Sequence, residues 1–222
     1  RRNPTPYSTV LDMLAAEYGR PADEVFAHID PKPLGSASLA QVHRATLKTG
    51  EDVAIKVQRP GVREIMAQDV SIMRSIAKAA TKVIRASQIV DLKGVVEELW
   101  DTFESETDFL IEARNLAEFK RFAARFKYMD CPTVYAELCT EHVVVMEYID
   151  GISVSHPGQL IDAGYDLKEI GTKLVDNYAT QILDDGFFHA DPHPGNIFVM
   201  PLATPRTPIT SEDGGDTSTE PP

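Results

Sequence analysis

The sequence predicts an α+β fold in two lobes: a small sheet with helices, then an incomplete, mostly helical part. Two observations predict it. The strand-like runs Gln41 to Leu47 and Asp52 to Gln58 are joined by Lys48-Thr49-Gly50-Glu51, a glycine-containing connection of hairpin length. From Gly61 to about Lys127, and again over 161–185, apolar residues recur at helical spacings. A length of 222 residues suits one two-lobed domain or two small ones. With 43% apolar and 25% charged residues, the composition excludes a collagenous, coiled-coil or wholly disordered chain. The formal net charge of −12 repels phosphate backbones, so no nucleic-acid partner is expected. Cys131 and Cys139 are too few for a disulfide framework and suit reduced thiols in a cytoplasmic setting. No apolar run approaches ~18 residues, so no membrane span is expected, and Arg1-Arg2-Asn3-Pro4 leads into no signal core.

In chain order, residues 1–30 read as a helical lead-in with Leu11, Leu14, Ala15, Tyr18, Val25 and Phe26 as burial candidates. Pro21-Ala22-Asp23-Glu24 has the proline and carboxylates of a helix restart. Residues 31–150 follow as the first lobe, strands and helices together. In its helical stretch Ile65, Ile72, Ile76, Ala80 and Val83 mark one apolar face. Arg74, Lys78, Lys82 and Arg85 mark another, which reads first as a solvated face and second as a dock for acidic lipid or a partner. A second helix carries Leu99, Phe103, Leu110, Ala113 and Leu116 inward. Val134-Tyr135 and His142 to Ile149 read as strands, ending in Asp150-Gly151. Residues 151–200 then read as a partial second lobe, helical over 161–185 through Leu174, Tyr178 and Ile182. Residues 201–222, rich in Pro, Thr, Ser, Asp and Gly, read as a disordered tail.

Four segments carry chemistry. In Gly35-Ser36-Ala37-Ser38-Leu39-Ala40-Gln41-Val42, small residues stand where a turn must approach a phosphate closely. The kinase glycine loop places small residues at its first, third and sixth positions and valine at the eighth; here these are Gly35, Ala37, Ala40 and Val42. Alanine in place of two glycines makes a stiffer loop. In Val53-Ala54-Ile55-Lys56, strand alternation puts Ala54 and Lys56 on one face, where a lysine can reach phosphates and a small residue leaves room for adenine. In Glu106-Thr107-Asp108-Phe109-Leu110-Ile111-Glu112-Ala113-Arg114-Asn115, Asp108 and Glu112 share a helix face. A phosphate-binding lysine needs a carboxylate to hold it; Glu112 is the first candidate and Glu106 the second.

The fourth segment is His189-Ala190-Asp191-Pro192-His193-Pro194-Gly195-Asn196. Its Asp191 and Asn196 stand at the Asp-to-Asn spacing of the kinase catalytic loop. There the carboxylate orients the nucleophile and the amide oxygen holds Mg²⁺. A zinc site on His189, Asp191 and His193 is the weaker alternative, because a proline-rich loop at this spacing converges poorly. The strand Val143 to Ile149 offers backbone groups at Glu147 and Ile149 for an adenine edge, with Met146 gating depth; an ordinary core strand is an equal reading.

Together these segments resemble the UbiB/AarF family of atypical protein-kinase-like proteins over roughly residues 10 to 200. The marks are the loop Gly35–His43, VAIKVQRPG (Val53–Gly61), ETDFLIEARN (Glu106–Asn115) and HADPHPGN (His189–Asn196). The resemblance implies a two-lobed kinase-like fold, ATP or ADP with Mg²⁺, and a role supporting ubiquinone biosynthesis. It also implies quinone-biosynthesis proteins or membrane lipid as partners, with a location in the cytoplasm or peripherally at a membrane. By position, Lys56 is the nucleotide lysine, Glu112 its partner, Asp191 the catalytic-loop aspartate and Asn196 a metal ligand. Glu106 and Asp108 are the family's extra acidic motif facing the active site. Gly35, Ser36, Ala37, Ser38, Leu39, Ala40, Val42, Ala54, Met146, Glu147 and Ile149 line the nucleotide.

Two features depart from the family: no lysine–glycine–glutamine helix precedes Pro33, and no Asp-Phe-Gly follows Asn196, Asp213-Gly214-Gly215 being a poor substitute. The expectation is therefore an internal piece of a longer protein or a truncated product. It is an ATP-binding kinase or ATPase-like domain with weak or no turnover, since loss of a metal carboxylate costs on the order of 10² in rate. The alternative is a non-catalytic nucleotide-binding scaffold for membrane-associated biosynthetic enzymes. A small-molecule kinase shares the His-x-Asp-x-x-x-x-Asn pattern but not the other segments.

Overall fold

A computed structural model describes residues 4–83 and 92–201. The chain divides into two compact units, residues 1–150 and 151–222. The structure is a mixed helix-and-sheet α+β fold. The expected tail, the Asp213-Gly214-Gly215 segment, Arg85 and the side chains of Lys82 and Val83 lie outside the described residues.

In the first unit, helix α1 (Tyr7–Tyr18) ends at Gly19, whose φ of 63° is the left-handed conformation glycine adopts without strain. A short 3₁₀ turn (Ala22–Glu24) leads into strand β1 (Phe26–Ile29). This corrects the helical reading of 1–30, because Phe26 to Ile29 pair antiparallel with β3 (Ala40–Leu47). The two-residue β2 (Gly35–Ser36) also pairs with β3, and the expected hairpin joins β3 to β4 (Asp52–Gln58). Strand β5 (Val143–Glu147) closes the order β1-β3-β4-β5.

Alternation along β4 sorts the sheet's two faces. Val53, Ile55 and Val57 are buried with Val143, Val145, Phe26 and Ile29 under Val10 and Leu14 of α1. At roughly 25 cal/mol per Å² of apolar area removed from water, this layer is the main support of the unit. Among the burial candidates of the lead-in, Leu14, Val25 and Phe26 are buried, whereas Leu11 and Tyr18 lie half-buried against the layer. On the opposite face Ala40 and Val144 meet Phe109.

Helices α2 (Val62–Val83) and α3 (Leu92–Thr107) form a hairpin packed through Met66, Val70, Met73, Ala77, Val96 and Trp100. The Ile65, Ile72 and Ile76 stripe does not make this contact; it is 50%, 58% and 63% exposed, and Leu99 is 53% exposed. The stripe lies about a quarter-turn around α2 from the packed Met66–Val70–Met73–Ala77 row. On the other flank Arg74 donates to both Glu97 oxygens (3.0 and 2.6 Å), and Arg63 reaches Glu104 at 3.0 Å. Leu92, Val95 and Leu99 occupy the flank of α3 away from Glu97 and Glu104, so they share one side of the hairpin with the isoleucines. What reads as one second helix is two, α3 and α4 (Phe109–Ala123). The break falls at Asp108, which is extended and accepts from the Leu110 N–H at 2.9 Å as an N-cap.

In the second unit, the predicted helix over 161–185 is interrupted. Helix α5 (Pro157–Asp162) ends before Gly164, at φ 85°, and α6 (Leu167–Thr180) restarts under the Asp166 cap. A π-helical turn follows over Gln181–Asp185, and Ile182 is exposed rather than buried. Strands β6 (Ile152–Ser153) and β7 (Phe198–Val199) pair antiparallel. They approach so closely at Gly151 that a Cβ there would stand 2.9 Å from Met200 Cγ and 3.0 Å from the Val199 oxygen.

Candidate active site

The strand register gathers some of the expected nucleotide residues on one face. Val42 lies opposite Lys56, Ala40 opposite Gln58 and Ala54 opposite Met146, and directly paired residues point to the same face of a sheet. Ala40, Val42, Ala54, Lys56 and Met146 therefore share one face, opposite the aliphatic layer under α1. Val144, on this same face and directly opposite Lys56, is a residue the sequence reading did not single out.

Lys56 is held from two sides. Its Nζ donates to Glu112 Oε1 at 2.8 Å and Oε2 at 2.5 Å, and sits 4.7 Å from the centre of the Phe109 ring. Glu112 stands in the first turn of α4, where the helix dipole favours a carboxylate. Of the two candidates it is thus Glu112, not Glu106, that meets the lysine. Glu106 is exposed in the last turn of α3, and Asp108 spends one carboxylate oxygen on the α4 cap.

The loop makes a tight turn at Ala37 to Ala40, where the Ala37 N–H donates to the Ala40 oxygen at 2.9 Å. Leu34 N–H donates to Val42 at 2.8 Å, tying the loop's entry to β3. Two residues to which sequence reasoning gave no role stand two and three positions after Lys56. Gln58, 5% exposed, donates to the Thr107 oxygen at 2.8 Å and so ties the end of β4 to the chain just ahead of Glu112's helix. Arg59 binds the loop itself: its N–H donates to the Leu39 oxygen at 2.8 Å, Nε to the Ala37 oxygen at 2.9 Å, and Nη2 to Ser36 Oγ at 2.5 Å. Alternation along Ala54-Ile55-Lys56-Val57-Gln58 was the signal that could have found Gln58; Arg59 lies in the Val53–Gly61 mark, but no periodicity points it at the loop.

At the end of β5, Glu147 pairs opposite Val53, so its side chain lies on the face away from Lys56, where Oε2 accepts from the Thr133 N–H at 3.0 Å. The backbone N–H groups of Glu147 and Tyr148 donate to Thr133 (2.8 Å) and Asp52 (3.1 Å). What this segment offers an adenine edge therefore comes from its carbonyls and from the half-buried Ile149.

In the second unit, Asp191 and Asn196 meet across their own loop. Asn196 Nδ2 donates to Asp191 Oδ2 at 2.9 Å, which fixes the amide so that its oxygen faces away from the carboxylate. The 3₁₀ turn Pro194–Asn196 is locked by the Asn196 N–H to His193 oxygen bond at 2.8 Å, and Ser153 donates to the Pro194 oxygen at 3.0 Å. His193 Nδ1 accepts from the Gly195 N–H at 3.0 Å, which removes one of the donors a zinc site would need. His189 is held through its N–H, which donates to the buried Gln181 at 3.2 Å. Tyr178 has its pKa raised by burial first and by the Asp191 carboxylate second. Among the described residues no three His, Cys, Asp or Glu side chains gather as a metal cluster, and no helix is long and apolar enough to cross a membrane.

Residues 1–211 match the family model of the ABC1 atypical kinase-like domain. The chain belongs to this family. Curated relatives agree: the ABC1 domain here is 42% identical over 196 residues to a probable protein kinase UbiB of Pseudomonas fluorescens, covering 87% of this chain and 37% of that protein. It is 40% identical over 187 residues to a probable protein kinase UbiB of Azotobacter vinelandii, covering 84% and 35%. An uncharacterized Clostridium pasteurianum protein from the hydrogenase 1 5′ region is 39% identical over 196 residues, covering 88% and 37%. Among solved structures, Rv3197 of Mycobacterium tuberculosis, in its complex with erythromycin, superposes with a TM-score of 0.73 at 31% identity, covering 89% of this chain and 49% of that one. The chain thus spans little more than a third of the length of these curated relatives. The ABC1 match and the Rv3197 superposition account for the kinase-like α+β fold.

Proposed function

We propose that this ABC1 domain binds ATP or ADP with Mg²⁺ and acts as an atypical kinase or ATPase-like domain supporting isoprenoid-quinone biosynthesis. The observation that carries the reading is the two-oxygen grip of Glu112 on Lys56, on the sheet face that also bears Val42, Ala54 and Met146. A lysine held extended in this way is prepared for the α and β phosphates, and Ala54 leaves space for a flat base. In the second unit Asp191 is the group that orients a phosphoryl acceptor, and the outward amide oxygen of Asn196 suits a hard cation. Asn196 Oδ1 is the ligand this loop would offer Mg²⁺, which when bound would supply neutralisation of phosphate charge. The names of the UbiB relatives support the quinone pathway, and membrane lipid or biosynthetic proteins are the partners this role calls for.

A scaffold reading, in which nucleotide binds without turnover, is favoured by the alanine-bearing turn that Arg59 fastens. Nucleotide affinity and single-turnover hydrolysis of the 222-residue chain, with and without Mg²⁺, separate the two. Lys56→Ala is expected to lose nucleotide affinity, and Asp191→Ala to keep affinity while losing any turnover. Equal behaviour of parent and both variants would remove the kinase-like reading altogether.

A further inference from the structure

We propose that Arg59 is a positioning residue that sets the phosphate loop in one conformation before nucleotide arrives; this deepens the nucleotide-binding reading above and rests on it. Its side chain crosses from the end of β4 to the loop and ties two of its residues, while its own N–H ties a third. The two carbonyls it draws, Ala37 and Leu39, belong to alternate peptides of the turn's crown, 37–38 and 39–40. In a trans peptide the C=O and N–H point in opposite directions. Arg59 therefore turns the N–H groups of Ser38 and Ala40 away from itself, and the alanine at position 37 cannot swing the chain as a glycine could. No peptide in the described chain is cis and no non-glycine residue has positive φ, so the turn holds this arrangement without backbone strain.

The guanidinium acts through geometry that an ammonium cannot copy. Nε and Nη2 are adjacent members of one planar fork and reach two separate acceptors, Ala37 O and Ser36 Oγ. Arg59 itself is anchored on both sides. Gln58 before it is buried and bonded to Thr107, and Gly61 after it turns the chain at φ 74° into α2. Four consecutive residues of one strand end thus carry the phosphate lysine, the tie to the chain ahead of Glu112's helix and the clamp on the loop. In a kinase whose glycine loop is mobile, the loop folds over bound phosphates; here it is preset, and nucleotide exchange proceeds past a fixed edge.

Hydrogen exchange of the nucleotide-free chain, read at the Ala37 amide that closes the turn onto the Ala40 oxygen, tests the clamp directly. Losing one hydrogen bond to a charged donor corresponds to about tenfold in an opening equilibrium. Arg59→Ala is expected to raise exchange at this amide by tenfold or more and to leave the β4 and β5 amides of residues 53–57 and 143–147 at parental rates. Arg59→Lys is expected to resemble Arg59→Ala, and Ser36→Ala, which removes one arm, to fall between. Parental exchange at Ala37 in Arg59→Ala, full rescue by Arg59→Lys, or a rise spread over the whole sheet would each overturn the clamp. If Arg59→Ala does not fold, the Ser36→Ala and Arg59→Lys results decide. Stopped-flow binding of fluorescent mant-ATP with Mg²⁺ supplies the second readout, with dissociation from Arg59→Ala accelerated about tenfold. A parent chain that binds no mant-ATP sinks the nucleotide reading and leaves the exchange result standing.

Discussion

Replacing Glu112 with glutamine keeps the side chain's shape and removes its charge, which isolates what the carboxylate does for Lys56. At 2.8 Å and an effective dielectric of about 20, the bare attraction is about 6 kcal/mol. The two side chains are 26% and 39% exposed, however, and an ion pair in reach of water keeps only a fraction of that after screening and loss of side-chain freedom. The net value is therefore expected near ~1 kcal/mol, a factor of about five in an equilibrium constant. Lys56 keeps its place over the Phe109 ring in the variant, so its position loosens without being lost. The assay is a double-mutant cycle, Lys56→Met and Glu112→Gln, read by urea unfolding and by ATP affinity in parallel. A coupling of about 1 kcal/mol in stability, with ATP affinity weakened roughly fivefold in Glu112→Gln, is the expected result. Strictly additive variants would refute the reasoning, because they would mean the observed pair does not hold the lysine.

Burial pushes the Cys131 thiol up from 9.0 to about 11, with the Lys120 ammonium only partly opposing it. Alkylation at Cys131, followed by mass spectrometry, is expected to be slow at pH 8 and to rise steeply only towards pH 11, whereas an unfolded control reacts from about pH 9. Because the unfolded chain loses this proton first, the same group lowers stability as pH climbs from 9 to 11, and urea unfolding across that window checks the sign. Ile72→Asn and Ile76→Asn replace exposed side chains and are expected to change stability by no more than ~0.5 kcal/mol, against about 1–3 kcal/mol for Val70→Ala in the packed α2–α3 seam. Equal losses at the exposed and packed positions would contradict the assignment of α2's faces.

Much of the site was legible because it depends on short-range periodicity. The alternation Val53-Ala54-Ile55-Lys56 already puts the lysine on the face away from the aliphatic layer, and the hairpin at Lys48 to Glu51 sets the register that brings Val42 beside it. Asp191 and Asn196 bond within one loop, so their spacing alone sufficed. Helical periodicity over Ile65, Ile72 and Ile76 was equally visible, yet it misassigned the packed face. A period identifies residues that share a side of a helix; it does not say which side a neighbouring helix covers when Met66, Val70, Met73 and Ala77 offer a second apolar row.

The primary structure determined the elements of the sheet, the face on which Lys56 stands, the closed geometry of the Asp191–Asn196 loop and the membership of a kinase-like family. Tertiary structure alone made Phe26 to Ile29 a strand, turned Glu147's side chain to the far face and brought Arg59 onto the loop. Each of those outcomes is a contact between segments tens of residues apart, and its energy depends on where whole helices and strands pack. No local pattern encodes that position; only the burial of the aliphatic layer and the Phe109 cluster, summed over the unit, selects it.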